Sequence, residues 1–310
     1  MSRYSRILLI LSEANKFTPA LHQARALAKV SGAELRIHLH VDHRSIDALN
    51  HLSKTMADMA QASVLFHFRD WLEEIIFDLR EFGITASGDV HWENHDAKSI
   101  LISALDWHPD LLIKDVIRSS TLRALLTVSI DHDLLRLSPF PLYLVHRQEE
   151  GLPKSVVAAV DPSHPWHRHG ALNERVIQAG LEHSSVVHAS FRLLSIFESD
   201  IDGSANSNDE YESQRQTHRF KLAKLGQKFG VESEQIYVHY GAPALRLAHL
   251  VRESGAQLLV IGSLCRLGLF HFFSASVAAR LLEEVHCDLL AIKPAGYARD
   301  FAMTLKERKA

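Results

Sequence analysis

Four groups of residues in this 310-residue chain have the types and spacing to do chemistry. Asp161-Pro162-Ser163 sets a carboxylate and a hydroxyl in a proline turn directly after the apolar run Val156 to Val160. Gly262-Ser263-Leu264-Cys265-Arg266-Leu267-Gly268 follows a second apolar run, and Ser274-Ala275-Ser276 precedes a helical stretch that Val277 opens. A carboxylate accepts from sugar hydroxyls, a glycine turn exposes backbone N–H groups, and hydroxyls at a helix start point toward the same place. Together they can hold a sugar and its phosphates. The fourth group is imidazole: His38-x-His40 puts two rings on one face of a strand, because strand side chains alternate. His164, His167 and His169 gather in one short stretch, and histidine, at 21 residues, is the compositional excess of the chain. Zinc needs three or four converging ligands with supporting contacts, which His-x-His alone does not supply. These histidines are therefore read as hydrogen-bonding groups across the sheet ends, and no metal is assigned.

Other chemistry is not supported. Asp106-Trp107-His108 and Asp131-His132-Asp133 each set acid beside imidazole, but without a nucleophile and an oxyanion site they make no catalytic argument. Gly-x-Ser-x-Gly and Gly-Lys-(Ser/Thr) patterns are absent from the sequence, so the chain is read as no enzyme. Leu267, Leu269, Phe270, Phe272 and Phe273 form an apolar cluster that can line a ligand cavity or pack internally, and packing is the ordinary use of such residues.

The elements that position these groups come in two copies. Phe82-Gly83-Ile84 recurs as Phe229-Gly230-Val231, Asp110 to Ile113 as Gln257 to Val260, and Leu142 to Val145 as Leu289 to Ile292, all 147 positions apart. Such self-similarity governs the whole reading. Within each copy, short apolar runs alternate with helix-spaced stripes, which is the βαβα pattern of a parallel sheet covered by helices. Strands are expected near 6–11, 35–41, 88–92, 110–114 and 141–146, then 155–160, 186–194, 235–240, 257–262 and 288–293. Helices carry the stripes Leu21, Ala24, Leu27 and Ala28, stopped by Gly32; Ile100, Ala104 and Leu105, capped by Asp96; and Leu172, Val176, Ile177 and Ala179. The fold class is α/β, two tandem doubly wound open parallel five-stranded sheets forming an internal pseudo-dimer. The units span 1–147 and 154–297, with a linker at 146–153, a loose segment at 198–213 and a tail from Ala298.

Composition limits the partners. Lys and Arg total 34 against 37 Asp and Glu, a formal charge of -3, so the chain has no global field for nucleic acid. No apolar run reaches the roughly 18 residues of a membrane span. Cys265 and Cys287 form no disulfide framework or metal spacing, which suits a reducing compartment and a cytoplasmic protein.

At Asp161 and the glycine turn, the sequence resembles the universal stress protein family, in particular its tandem, E-type members. Members that bind ATP carry Gly-x2-Gly-x9-Gly-(Ser/Thr) after the fourth strand and an Asp at the end of the first. Asp161, Gly262 and Ser276 match; Cys265 and Ala275 stand where the second and third glycines belong. The resemblance implies a Rossmann-like fold and a ligand site at Asp161, Gly262, Gly268, Ser276 and Val277, with ATP as the possible ligand, weakened by Cys265 and Ala275. In the first copy Ser12 replaces the aspartate, and Asp115, Arg118 and Val128-Ser129 stand in the glycine motif, so its nucleotide motif is lost. Lys114-Asp115 and Arg118 read there as a solvated loop or a polar rim. The function implied is a non-catalytic stress-response protein binding a small ligand in the second unit, open to further dimerisation. Two alternatives stay open: a carrier of an apolar acyl ligand and a weak nucleotide hydrolase.

Overall fold

The computed structural model of the chain describes residues 4–11, 17–41, 54–92, 96–116, 130–163, 167–198, 207–263, 281–282, 284–298 and 301. They divide into two compact units, Met1–Leu134 with Gln148–Leu152, and Leu135–Arg147 with Pro153–Ala310.

In the first unit the order is β1 (Arg6–Leu11), α1 (Pro19–Ser31), β2 (Glu34–His40), α2 (Lys54–Glu81), β3 (Ala86–His91), α3 (Ala97–Leu105) and β4 (Leu111–Asp115), followed by the start of α4 (Ile130–Leu137). The strands pair in parallel in the order β3-β2-β1-β4. Ile7 to Leu11 and Leu111 to Ile113 are buried outright, as a strand covered on both faces requires. The helix ends follow their local chemistry. Asp96 accepts from Ser99 N at 2.8 Å at the start of α3, and Gly32 closes α1 in the left-handed conformation that only glycine adopts cheaply.

The second unit contains β5 (Leu142–Val145), β6 (Ser155–Ala159), α5 (His167–Val187), β7 (Ser190–Phe197), α6 (Ser207–Gln227), β8 (Ile236–Tyr240), α7 (Pro243–Ser254), β9 (Leu258–Gly262) and β10 (Asp288–Ile292). Its strand order is β5-β10-β9-β6-β7-β8. All of these pairs are parallel except β5 with β10.

The α/β class and the parallel-dominated sheets agree with the sequence reading, and β5, the last strand of the first copy by repeat register, groups with the second unit. Leu135–Arg147 sits in the second unit, although repeat register counts it as the end of the first copy. Asp288 explains the grouping. Its buried carboxylate accepts from Tyr143 Oη at 2.9 Å, from the amides of His146 and Arg147 at 3.0 Å each, and from Arg147 Nε at 3.0 Å. Burial pulls the Arg147 pKa down, but Asp288 and Tyr143 outweigh it and hold the guanidinium above its ordinary value. His146 and Arg147, expected in an exposed linker, are thus buried. Two other expectations shift. The 186–194 strand begins instead at Ser190, because α5 runs through Val187 and ends at His188 with φ 54°. The 198–213 segment is already helical from Ser207; residues 199–206 lie outside the described set.

Candidate functional site

The second unit changes winding direction between β6 and β9: the chain proceeds from β6 to β7 and β8 on one side, and from β9 to β10 on the other. Ligands of open α/β sheets bind beyond the carboxyl ends of strands at such a point. Asp161 follows β6 and Gly262 ends β9, so these two predicted site residues flank it.

Asp161 is held through its backbone. Asn173, on α5, donates from Nδ2 to Asp161 O at 2.5 Å and accepts from Asp161 N at 3.4 Å, while Asp161 Oδ1 accepts from Ser163 N at 2.9 Å. The turn is therefore closed by its own side chain, in the Asx manner. Ser163 Oγ lies 3.2 Å from His218 Nδ1. His218, half-buried on α6, stacks on Phe197 at the end of β7, with centroids 4.6 Å apart and planes at 15°. Burial and Lys221 lower the His218 pKa against the pull of Asp161, so the ring is neutral at pH 7. Tyr211 and Tyr240 complete the cluster: Tyr240 meets Phe197 edge-on at 5.7 Å and Tyr211 edge-on at 5.6 Å. Tyr240 is 45% exposed and offers ring surface to a planar ligand.

Gly262 has a different reason to be glycine from the one its motif suggests. Its φ is not positive, and a Cβ there would lie 2.7 Å from Leu172 Cδ2 on α5. The missing side chain admits the helix against the sheet. The next amide, Ser263 N, donates to Ile292 O at 2.8 Å, and Ser263 Oγ donates to Leu135 O at 2.9 Å. Those groups belong to the frame of the site. Lys293 Nζ completes that frame with bonds to Leu135 O, Arg136 O and Ser263 Oγ at 2.8, 2.8 and 3.0 Å. Gly268, Ser276, Val277, Cys265, Ala275, the phenylalanine-rich loop and His164 lie outside the described residues, as do Ser12, Arg118 and Val128-Ser129.

In the first unit the residue in the place of Gly262 is no rim. Asp115 Oδ1 accepts from Ala20 N at 2.8 Å, and the Thr18 hydroxyl also bonds the carboxylate. Thr18 Oγ1 in turn accepts from Leu21 N at 3.3 Å and Thr18 O from His22 N at 3.1 Å. Pro19 has no N–H, so every amide at the start of α1 is spoken for, and the anion that favours that helix end is built in. Burial raises the Asp115 pKa against these bonds. Lys114 is not solvated either: its Nζ lies 2.8 Å from Asp131 Oδ1, with both side chains 2% exposed. Elsewhere on this unit a cavity of about 870 Å³ opens beside α2, but Asp70, Glu73, Glu74 and Asp78 line it, and that many carboxylates repel an anionic ligand.

The sequence reading missed the ring cluster and the Asn173 clamp. The recurrence of Val90-His91-Trp92 as Val238-His239-Tyr240 marked the strand ends where rings collect; nothing in the local sequence marks Asn173.

Comparison with known proteins agrees with this layout. The universal stress protein family model matches residues 154–293. Universal stress protein E of Photorhabdus laumondii is 25% identical over 309 residues, covering 96% of this chain and 97% of that protein. Universal stress protein E of Escherichia coli K12 is 24% identical over 306 residues, covering 96% of each. Among solved structures, the functionally unknown protein PA1789 from Pseudomonas aeruginosa PAO1 superposes with a TM-score of 0.73 at 19% identity, covering 98% of both chains. A universal stress protein from Archaeoglobus fulgidus gives 0.59 at 13% identity, covering 94% of this chain and 97% of that one. Both share the fold.

Proposed function

This chain belongs to the universal stress protein family as one of its tandem members, and from that premise we propose that it is a cytoplasmic, non-catalytic stress-response protein that binds one nucleotide-like small ligand in its second unit. The observation that carries the reading is the contrast between the two strand-end sites. In the second unit Asp161 and the Gly262 strand end flank one switch point, and the exposed ring of Tyr240 stands at the end of β8, two strands from β6. In the first unit, Asp115 fills the equivalent region with the protein's own negative charge. A base stacks on the tyrosine ring and the Asp161 carboxylate takes the sugar hydroxyls. The described residues at this site bring a single carboxylate, and the Ser163–His218 contact has no third group or oxyanion donors set beside it among them, which favours holding a ligand over transforming it. Among the described residues no helix is long and apolar enough to cross a membrane, and the partner we assign is a small molecule.

Equilibrium dialysis of the full chain with labelled ATP, read together with phosphate release, tests this. Saturable binding of one equivalent without turnover supports it, with Asp161→Ala weakening affinity by about tenfold, the worth of one charge-assisted bond. Turnover that tracks binding, or an affinity unmoved by Asp161→Ala, refutes it. Binding of a fatty-acyl probe in place of ATP would favour an apolar carrier.

A further inference from the structure

We propose that His38, Asp89 and His91, at the carboxyl ends of β2 and β3 in the first unit, form a binding site for a divalent transition-metal cation of the zinc class. The strand register brings them together. His38 pairs with Asp89 and His40 with His91 across the parallel ladder, so all four side chains rise from one face of the sheet. One ligand atom each from His38, Asp89 and His91 lies within 4.8 Å of the other two. In a tetrahedral zinc site, with bonds of about 2.0–2.1 Å, ligand atoms sit roughly 3.3 Å apart. Closing the difference takes small side-chain rotations.

Each ligand is already oriented for the task. Ser103 Oγ donates its one proton to Ile100 O at 2.8 Å, so at its 3.3 Å contact with His38 Nδ1 the serine accepts and the imidazole donates. That bond fixes His38 with Nδ1 protonated and leaves the Nε2 lone pair as the ligand, the supporting contact that metal-bound histidines ordinarily have. The Asp89 carboxylate pairs with Arg36. Both Arg36 contacts, at 2.6 and 3.2 Å, go to Oδ2, which leaves Oδ1 to a cation. His91 is held by stacking on buried His40, centroids 4.9 Å apart with planes at 15°.

The site grades from buried His38 through half-buried His91 to exposed Asp89, which gives a cation a route from solvent. Two imidazoles and a carboxylate select borderline N/O-loving ions over Mg²⁺ or Ca²⁺, which prefer all-oxygen sites. The Arg36 charge opposes the cation and Asp89 offsets it. Three protein ligands leave a fourth position for water or a small anion.

The test uses the full chain stripped of metal with a chelator. Zn²⁺ is titrated by calorimetry, and Co²⁺ by the visible bands of a low-coordinate site. Because other histidines bind metal weakly, the tightest equivalent is what counts. We expect one such equivalent, weakened at least tenfold by Asp89→Asn and by His91→Gln. Both replace partly exposed side chains, and unchanged circular dichroism separates ligand loss from unfolding. Ser103→Ala touches no ligand atom; it should weaken Zn²⁺ about tenfold, with Ser103→Thr restoring it. A wild-type chain without a tight equivalent overturns the assignment. So does a tight equivalent whose affinity and cobalt spectrum survive both Asp89→Asn and His91→Gln.

Discussion

Gly262→Ala separates a glycine kept for phosphate from a glycine kept for packing. The added Cβ would sit 2.7 Å from Leu172 Cδ2 and 2.9 Å from Leu172 Cγ, well inside the 3.5–4.0 Å at which carbon atoms settle. Because Gly262 does not use a positive φ, backbone strain contributes nothing and the cost is steric. Leu172 is buried on α5, and β9 is buried along its whole length, so relief requires an off-rotamer leucine or a displaced helix. Overpacking of this kind costs about 1–3 kcal/mol, which is about 2–12 °C in midpoint for a unit of this size. Urea unfolding of the full chain, with hydrogen exchange read on peptides covering β9, assigns the loss to the second unit. A double-mutant cycle sharpens it. Leu172→Ala alone should cost about 2–5 kcal/mol through its cavity. Combined with Gly262→Ala, the new methyl occupies part of that cavity, so the pair should cost at least about 1 kcal/mol less than the sum. Additivity within about 0.5 kcal/mol would refute the packing account. Full stability of Gly262→Ala with loss of ATP binding would refute it more directly, because the glycine would then serve the ligand.

Asp288→Asn should destabilise the second unit by about 3–5 kcal/mol in urea titrations, because it leaves the buried Arg147 charge uncompensated, whereas Tyr143→Phe should cost only about 1 kcal/mol; equal losses would contradict the four-donor arrangement. The folded-state pKa of Asp115 is raised by burial, so its contribution is complete below the unfolded value and is lost as pH rises through the folded value. Asp115→Asn keeps an acceptor for Ala20 N and removes the titration. Measured by unfolding at about pH 4 to 7, the variant should gain on the wild type as pH rises, and a constant difference would show that the carboxylate carries no burial penalty. Burial and the adjacent Asp288 push the Cys287 thiol up to about 12, so peptide mapping after alkylation of the native protein at about pH 8 should find Cys287 unmodified, and rapid labelling there would contradict its burial.

The alternation of apolar runs with helical stripes located nearly every strand to within two residues, because a doubly covered parallel strand must be continuously apolar and its helices must carry a stripe. Val186-Val187 was the exception. A β-branched pair reads as strand in isolation, yet it ends a 21-residue helix whose buried face includes Val176, Ile177 and Ala179. The site was less legible. Asp161 announced itself by following a strand, but its clamp, Asn173, is set by the packing of a helix twelve residues on. Asp115 was visible as a misplaced carboxylate; that it closes α1 could not be read, because Ala20 is 95 residues away in sequence. The histidine cluster was half visible for a similar reason. His38-x-His40 shows two rings, and the third ring and the carboxylate come from β3 through a register that only the folded sheet defines.

Asp115 makes the first copy self-sufficient. A fold that carries its own counter-ion gains no rigidity when a nucleotide arrives, so occupancy by such a ligand should protect the later half selectively and leave the earlier half as labile as before, by an amount that grows with the logarithm of ligand concentration over Kd. The molecule would then report ligand as an imbalance of resilience along one chain, a signal that a protease or a binding partner can read without any change of shape.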